Sequence, residues 1–243
     1  MKVLITGGGC SEKIDDVRSI TNFSSGRTAL QIAKTIHAMN PAAAVTLLLA
    51  QSAVQPSGAL LKKIAVKIFR SCDDLKKLLR ETLEKDSYDL IFHAAAVSDY
   101  TVQSVVVDGK EFAAGKIHKI SGANEVLVKL KKNPKLLEAI PRMAKKNNAA
   151  ARVVGFKLTS NASQEERAAA VQKLFSVKNP PDFVISNDLS EITAKSHPCV
   201  LWQRVDKNGE ACKTKNGGPS SVPTAVARGQ VNSIVRKVYA FNS

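Results

Sequence analysis

The sequence predicts an α/β protein with a doubly wound, mostly parallel, Rossmann-like sheet and a β-hairpin or loop excursion from that sheet. Short apolar segments alternate with segments whose apolar residues recur at helical spacing. The first apolar segment runs directly into three consecutive glycines, as a buried strand does before a glycine loop. At 243 residues, 44% of them hydrophobic, the chain can bury a sizeable core, and we expect residues 1–243 to form one domain.

The predicted strands are short apolar segments that end at glycines, small residues or turn formers. They cover residues 2–6, 45–50, 64–69, 90–96, 152–158 and 183–186. A further segment, 199–214, predicts a short antiparallel pair around the turn Asn208-Gly209. Because these strands alternate with helices, we expect a sheet that is covered on both faces.

The predicted helices lie between the strands. The first starts near Ser24, since apolar residues from Ala29 to Met39 recur at helical spacing. The others cover residues 73–84, 134–146, 163–175 and 222–241. Residues 101–133 interrupt the alternation, because they contain several glycines, little helical periodicity and a dense run of lysines. We predict hairpin and loop there, as the excursion from the sheet.

The charge of the chain predicts an anionic ligand. With 36 basic and 21 acidic residues the net charge is +15, which attracts nucleic acid, acidic membranes or small polyphosphates. Aromatic residues make up only 5%, and no nucleic-acid-binding module is recognisable, which weakens recognition by base stacking. No apolar run is long enough to span a bilayer. We therefore expect neither a nucleic-acid nor a membrane partner, although a solvated lysine-rich surface explains much of the charge equally well.

The cysteines predict a reducing compartment. Cys10, Cys72, Cys199 and Cys212 are scattered and form no C-x-x-C pair, so neither a zinc site nor a disulfide framework is expected. The amino-terminal residues read as a strand rather than as an export signal. Both observations favour a cytoplasmic protein.

The glycine loop argues against two common nucleotide-binding motifs. A dinucleotide fingerprint that begins at Gly7 would need its third glycine at position 12, where the chain has Glu12. No tyrosine is followed four residues later by the lysine that short-chain dehydrogenases use. A P-loop fails as well, since Thr21 and Arg27 stand where its first glycine and its lysine belong. A short-chain-type NAD(P)-binding oxidoreductase and a non-catalytic basic binding module stay as alternatives.

Four parts of the chain carry the signature of a known enzyme family. They are residues 15–27 (DDVRSITNFSSGR), 94–100 (AAAVSDY), 118–121 (HKIS) with 133–137 (NPKLL), and 154–158 (VGFKL) with 186–188 (SND). In this order they resemble the phosphopantothenoylcysteine synthetase family over residues 1 to about 190. The resemblance implies a ligase of coenzyme A biosynthesis, and of the stand-alone kind, because no flavoprotein decarboxylase portion precedes the matching residues.

The resemblance implies a two-step reaction. The carboxylate of 4'-phosphopantothenate attacks the α-phosphate of CTP or ATP and gives an acyl-nucleotidylate and pyrophosphate; the amine of L-cysteine then displaces the nucleotide. Asn22 corresponds to the asparagine that stabilises the acyl-nucleotidylate. Arg18 can grip a carboxylate through two hydrogen bonds. Backbone N–H groups of Ser24, Ser25 and Gly26 at a helix start suit an anion, although the two serines would equally serve as helix caps.

The resemblance also implies a nucleotide site at the carboxyl end of the strand at 90–96. Small side chains there let a base or ribose approach the backbone, although tight packing would explain them as well. Asp99 corresponds to an acidic residue that fixes the nucleotide, and Phe156 to a residue of the base pocket, although such a phenylalanine is usually core. The residues implied in nucleotide binding are His93, Ala94, Ala95, Asp99, Lys119, Pro134, Lys135, Leu136, Leu137, Phe156 and Lys178, with Ala96 at the substrate.

Two lysines compete for the role of a mobile-loop lysine that contacts the triphosphate in this family. Lys116 and Lys119 are each followed by isoleucine, and the spacing to Pro134 favours Lys119. A loop lysine without such a role would lie in solvent. Lys178, and less closely Lys173, correspond to basic residues that reach the nucleotide phosphates.

One departure from the family lies in the glycine loop. Many members have an arginine there, where this chain has residues 9–13 (GCSEK), so a phosphate contact from that arginine is absent or supplied by another residue. The triphosphate implies Mg²⁺ held mainly by phosphate oxygens and water. The family is typically homodimeric with sites near the subunit interface, so we expect a homodimer. The sequence leaves the choice between CTP and ATP open.

Overall fold

The structure is a computed structural model that describes residues 1–193, 196–205 and 222–241. In chain order its elements are β1 (Lys2–Gly7), β2 (Ser11–Lys13), β3 (Ser19–Thr21), α1 (Arg27–Met39), β4 (Ala44–Ala50), α2 (Gly58–Leu61), β5 (Ile64–Phe69), α3 (Cys72–Lys85), β6 (Leu90–His93), β7 (Tyr100–Val107), β8 (Lys110–Ala113), β9 (Val126–Lys132), α4 (Leu136–Asn147), β10 (Arg152–Thr159), α5 (Gln164–Phe175), β11 (Phe183–Asp188), a short 3-10 helix (Leu189–Glu191), β12 (Pro198–Val205), β13 (Val222–Gln230) and α6 (Val231–Ala240).

Eight strands form the central sheet in the order β13-β12-β11-β10-β6-β1-β4-β5. The strands from β11 to β5 run parallel, and β12 and β13 are added antiparallel at one edge. Every residue of β6 is buried, as expected for a strand that helices cover on both faces. The doubly wound, mostly parallel class predicted from the sequence is therefore confirmed.

The strand order reverses between β1 and β6. From β1 the chain passes to β4 and β5 on one side, and it returns to β6 and β10 on the other side. In register, Thr6 at the end of β1 pairs with Leu48 of β4 and with His93 of β6. In open α/β sheets ligands bind at the carboxyl edge beside such a reversal. The loops that follow β1 and β6 therefore form the candidate ligand-binding region.

Helices cover both faces of this sheet. Helix α1 packs against β1, β4 and α6, whereas α3 packs against β5 and α4. Helices α3 and α5 begin with complete capping boxes, at Ser71 with Asp74 and at Ser163 with Glu166. Among the helices of the described residues, none is long and apolar enough to cross a membrane.

The predicted excursion is a separate three-stranded antiparallel sheet in the order β8-β7-β9, which we call the excursion sheet. Strands β7 and β8 form the predicted hairpin. Strand β9 was expected to be a lysine-rich loop, and that expectation is wrong. Its lysines are tolerated because β9 is an exposed edge strand, where charged side chains also discourage pairing with other chains. A small core of Val102, Val105 and Ile120 holds this sheet together.

The carboxyl-terminal segment also differs from the prediction. Residues 222–241 were predicted as one helix, but the first nine form β13 and only α6 is helical. Pro223 and Gly229 disfavour a helix, and an edge strand accommodates both. Strand β13 pairs with β12 from Pro198 opposite Gln230 onward. The turn predicted at Asn208-Gly209 lies outside the described residues.

Candidate functional site

The loops after β1 and β6 are joined by backbone hydrogen bonds. The N–H of Ala94 donates to Thr6 O at 3.2 Å, and the N–H of Ala96 donates to Gly8 O at 2.9 Å. The N–H of Cys10 donates to Ala96 O at 3.1 Å, so Gly9 and Ala96 form one further bridge of the sheet. The half-buried loop of three alanines is thereby fixed in register against the glycine loop.

A buried polar pair supports this loop from below. Thr6 Oγ1 accepts the N–H of Ala95 at 3.2 Å and lies 2.9 Å from His93 Nδ1. The Thr6 hydroxyl can donate to Nδ1 or accept a proton from it while it accepts the Ala95 N–H, because a hydroxyl oxygen has two lone pairs. Burial lowers the pKa of His93 to about 4, so the ring is neutral near pH 7. His93 therefore orients Ala95 and brings no positive charge to a phosphate.

Asn22 lies directly above the glycine loop. Its N–H donates to Cys10 O at 3.0 Å, and its carbonyl oxygen packs so closely on Gly9 that a Cβ there would lie 1.8 Å away. Only glycine fits at this position. The carbonyl of Ser25 accepts the N–H of Val54 at 3.0 Å, which attaches the segment to the loop after β4. Asn22 is thus held between the ends of β1 and β4.

The first helix begins three residues later than predicted. Gly26 is its N-cap and has a left-handed φ of 72°, and α1 starts at Arg27. Gly26 has no side chain to cap the helix, but Ser25 Oγ accepts the N–H of Arg27, the first helical residue, at 3.5 Å, so the alternative of a capping role applies to Ser25. A left-handed residue before the first turn favours glycine, because other residues lose stability with φ positive. Ser24 is half-buried and Ser25 is exposed, and both precede the helix.

Arg18 is oriented by a buried carboxylate. Asp15 accepts hydrogen bonds from the N–H groups of Val17 at 2.8 Å and Arg18 at 2.6 Å, and from Arg18 Nη1 at 2.6 Å. A fourth donor is the N–H of Ile120, at 3.0 Å from the carboxylate. These hydrogen bonds hold the pKa of Asp15 well below its usual range, because they stabilise the charged carboxylate. The largest contribution comes from the N–H of Ile120, followed by those of Val17 and Arg18. Asp15 therefore joins the Arg18 segment to the loop after β8.

The same loop is attached at a second point. The N–H of Asp16 donates to His118 O at 3.0 Å, and His118 Nδ1 lies 2.9 Å from the Asp16 carboxylate. These contacts bring Lys119 to a cavity of about 470 Å³ that Arg18 also lines. Lys116 does not line this cavity. Two cations from distant parts of the sequence thus face one space.

Phe156 stands beside the three-alanine loop. Gly155 of β10 is paired with His93 of β6, so Phe156 and Ala94 are the next residues along two adjacent strands. Leu137, in the first turn of α4, packs over Gly155. Leu136 is buried in the core, so any contact with a ligand would come from its backbone.

Asp99 forms an ion pair with another residue of the predicted nucleotide set. Lys135 Nζ lies 2.5 Å from Asp99 Oδ1, and both side chains are more than half exposed. The N–H of Asn133 donates to Asp99 O at 2.8 Å, and its side-chain amide donates to Ser98 O at 3.0 Å. Pro134, between Asn133 and Lys135, is exposed. The segment before α4 is therefore attached to the end of the loop after β6.

The structure does not bring Lys178 to these residues. In a parallel β-α-β unit the helix returns to the amino edge of the sheet, and Lys178 lies between α5 and β11 on that return. Asp182, four residues later, bonds to Val153 near the start of β10, which confirms the edge. Lys173, near the end of α5, lies on the same side. The family resemblance indicated Lys178, and sequence position does not show to which edge a loop returns.

The sequence did not indicate the hydrogen bonds that Thr6, Asp15 and Glu12 make in the structure. Glu12 is buried and accepts the N–H of Cys72 at 2.8 Å and the Thr101 hydroxyl at 2.7 Å. It connects β2 to α3 and β7. This carboxylate has no place against a pyrophosphate, and the first long helix starts only at residue 27, so the geometry of a dinucleotide fingerprint is absent.

Metal ligands are sparse in the described part of the chain. Within residues 1–193, 196–205 and 222–241, no group of three or more His, Cys, Asp or Glu side chains could hold a metal ion. Cys10, Cys72 and Cys199 are buried as free thiols, and burial raises the pKa of each. These residues offer no cage for Mg²⁺.

The fold is a doubly wound α/β domain whose candidate ligand site lies at the carboxyl edge of its sheet. Residues 1–217 match the family model described as DNA/pantothenate metabolism flavoprotein C-terminal domain, and the chain belongs to this family. The coenzyme A biosynthesis bifunctional protein CoaBC of Methanocaldococcus jannaschii is 31% identical over 192 residues, which are 78% of this chain and 41% of that protein. The chain spans less than half of the length of the curated relatives it matches first.

Solved structures support the same fold. The DNA/pantothenate metabolism flavoprotein from Streptococcus pneumoniae superposes with a TM-score of 0.72 at 24% identity, and the superposition covers 99% of both chains. A Cab2 variant in complex with phosphopantothenate-cysteine superposes with a TM-score of 0.68 at 18% identity, over 99% of this chain and 86% of that one.

Proposed function

We propose that the chain is a phosphopantothenate–cysteine ligase, which joins 4'-phosphopantothenate to L-cysteine in coenzyme A biosynthesis with CTP or ATP as co-substrate. The observation that carries this proposal is the meeting of Asn22 and the loop of three alanines around Gly9, at the carboxyl edge beside the strand reversal. The separate cavity that Arg18 and Lys119 line against the excursion sheet supplies positive charge and supports it. The similarity to coenzyme A biosynthesis bifunctional proteins and to a Cab2 variant in complex with phosphopantothenate-cysteine supports the same substrates.

In the first proposed step a carboxylate oxygen of phosphopantothenate forms a bond to the α-phosphorus, and the bond to pyrophosphate breaks. Arg18 would hold the carboxylate, since its guanidinium is already directed by Asp15 and is about half exposed. Lys119 would face the triphosphate across the same cavity. Asn22 would donate its amide to the mixed anhydride without adding charge. Positioning and charge neutralisation carry this chemistry.

In the second proposed step the amine of L-cysteine attacks the acyl carbon, the nucleoside monophosphate leaves with the electrons of the broken C–O bond, and the amine releases a proton. Backbone groups of Ala94 and Ala95 and the ring of Phe156 would hold the ribose and base, because these residues stand on adjacent strands. Ala96 and residues 24–26 would contact the acyl substrate. The pair Asp99 and Lys135 would close the nucleotide side.

Mg²⁺, in this proposal, accompanies the triphosphate. Because the described residues form no carboxylate cage, phosphate oxygens and water would supply most of its ligands. It would neutralise negative charge on the triphosphate. No protein residue is assigned to it.

A homodimer is part of the proposal. Phe23 is fully exposed beside Asn22, and Val17 and Ile20 are 68% and 38% exposed nearby, so an apolar surface adjoins the site. A second copy of the chain would cover it, in the cytoplasm that the free cysteines favour. Light scattering at micromolar concentration should give a dimer; a fully active monomer would contradict this part.

One assay tests the function. Pyrophosphate release and phosphopantothenoylcysteine formation are measured with phosphopantothenate, cysteine and each nucleotide, and with each component omitted. Asn22→Asp, nearly isosteric, should stall turnover at the acyl-nucleotidylate because a carboxylate then faces an anion. Wild-type rates of both products in this variant would remove Asn22 from the site. Binding of NADPH instead, or salt-dependent binding of nucleic acid without ligation, would favour the two alternatives.

A further inference from the structure

A second cavity opens at the carboxyl edge, on the side of β1 away from the three-alanine loop. Its volume is about 330 Å³, and it is lined by Gly9, Ser11, Gln51, Ser52 and Arg70. These residues follow β1, β4 and β5, which are neighbours in the sheet. The lining therefore contains one cation, two hydroxyl groups and one side-chain amide, and it contains no carboxylate.

Arg70 is the first residue after β5, and its backbone is held on both sides. Its carbonyl accepts the N–H of Ser11 at 2.8 Å, and its N–H donates to Asp74 Oδ2 at 3.2 Å. Its Nη2 donates to Ser19 Oγ at 3.2 Å, which directs the guanidinium toward the β2–β3 pair. None of the ion pairs among the described residues includes Arg70. The nearby Asp74 carboxylate interacts with this charge electrostatically. The guanidinium still has N–H donors beyond the one that bonds Ser19, and these can reach a ligand.

These groups suit a terminal phosphate. A guanidinium presents five N–H donors in a planar fork and binds phosphate oxygens in pairs. The hydroxyl of Ser52 and the amide of Gln51 add donors around the same space, and the Ser11 hydroxyl, which is 2.9 Å from Thr21 Oγ1, adds a donor when Thr21 donates to it. Charge-assisted hydrogen bonds of this kind are the strong ones. The glycine loop itself contributes no arginine, so the cation of this cavity comes from β5.

We propose that this cavity binds the phosphate monoester of 4'-phosphopantothenate, with Arg70 as its main anchor, an inference that rests on the proposed function. The source of the phosphate follows from the sheet. The residues proposed to hold the nucleotide follow β6 and lie on β10, on the other side of β1. Gly9 lines the cavity and contacts the carbonyl of Asn22, so Asn22 stands between the two halves. A substrate whose carboxylate reacts beside Asn22 would extend its phosphate toward Arg70.

The test compares Arg70→Gln, Arg70→Lys and Arg80→Gln. Arg80 is an exposed arginine of α3 outside the cavity, so its replacement removes the same charge without touching the lining. We expect Arg70→Gln to raise KM for phosphopantothenate about 10- to 100-fold. In Arg70→Gln, KM for the nucleotide and for cysteine should stay within about twofold of the wild-type values. In Arg80→Gln, all three KM values should stay within about twofold of wild type. Arg70→Lys should give a KM for phosphopantothenate between those of wild type and Arg70→Gln, because lysine keeps the positive charge but lacks the planar guanidinium that binds two phosphate oxygens.

Direct binding separates this inference from the proposed function. By isothermal titration, wild-type protein should bind phosphopantothenate more tightly than pantothenate, which lacks the phosphate, and Arg70→Gln should lose that preference. Equal KM values for Arg70→Gln and Arg80→Gln in an active ligase would overturn the inference and leave the function intact. A rise confined to the nucleotide KM would also overturn it, since the phosphate would then be the nucleotide's. If no ligation occurs, the loss of phosphate preference in Arg70→Gln still supports the anion site.

Discussion

Asp15→Asn is the most informative change outside the residues proposed to touch substrate. The carboxylate joins two segments: Oδ1 accepts the N–H groups of Val17 and Arg18, and Oδ2 accepts Arg18 Nη1 and the N–H of Ile120. An asparagine keeps the size of the side chain and can keep its oxygen toward the first pair. The NH₂ group of the asparagine then replaces Oδ2, so Arg18 Nη1 and the Ile120 N–H lose their acceptor and face another donor. The turn at residues 15–18 should survive, whereas the attachment of the Lys119 loop should weaken.

The size of the effect follows from the two lost acceptors. A hydrogen bond to a charged group is worth about a factor of ten or more in an equilibrium. The Arg18 guanidinium is about half exposed, so water replaces part of that bond. Together the two losses should shift the attached loop toward release by about 100-fold. If Lys119 acts only when the loop is attached, kcat/KM should fall by a similar factor.

The assay pairs activity with limited proteolysis. Trypsin should cut after Lys116 or Lys119 faster in Asp15→Asn than in wild type, and pyrophosphate release should fall. Asp16→Asn is the matched control, because it keeps the backbone bond from the Asp16 N–H to His118 O and changes only exposed side-chain pairs with Lys13 and His118, which are worth little in water. Unchanged cleavage and kcat/KM in Asp15→Asn, with an unchanged melting temperature, would refute the role of Asp15.

Two other predictions concern charge. Lys119→Gln should lower kcat/KM by about 10²–10³ if its ammonium meets the triphosphate, whereas Lys116→Gln should cost less than about threefold; the opposite order in pyrophosphate release would transfer the role to Lys116. His93 has a folded pKa of about 4 against 6.5 when unfolded, so its contribution to stability is complete above pH 6.5 and is lost as pH falls toward 4. By urea unfolding, wild type should therefore lose about 2 kcal/mol between about pH 7 and pH 5 that His93→Gln does not lose, and identical pH dependence would contradict this.

The middle of the central sheet was predictable because strands such as β1, β4 and β6 are buried along most of their length. A strand such as residues 90–93 is buried along its whole length, so its sequence is a short, almost continuous apolar run that is easily recognised as a buried strand. Strand β9 lacked this constraint. It is an exposed edge strand, so its sequence is set by solubility and reads as a loop. Strand β13 likewise depends on pairing with β12, a contact that no local pattern reports.

The site was predictable only where a motif named its residues. The segment with Arg18, Asn22 and Gly26 was found as a motif, and the structure brings its Asn22 to the loop after β1, beside the strand reversal. Thr6 was missed because a threonine at the end of a strand looks like any β-branched residue, and only the register with His93 gives it two partners. Arg70 was missed because its relation to Ser11 spans most of two β-α units.

The arrangement of carboxylates explains how this edge stays attractive to anions. Glu12, Asp15 and Asp188 are all buried there, and each accepts backbone N–H groups that compensate its charge. These negative charges therefore fix loops in place and are turned away from the cavities, which carboxylates do not line. Arg18 and Lys119 in one cavity and Arg70 in the other keep exposed donors. Removing a buried carboxylate should thus impair binding of anionic substrates, although the change makes the protein more positive, because loop geometry outweighs the gain in net charge.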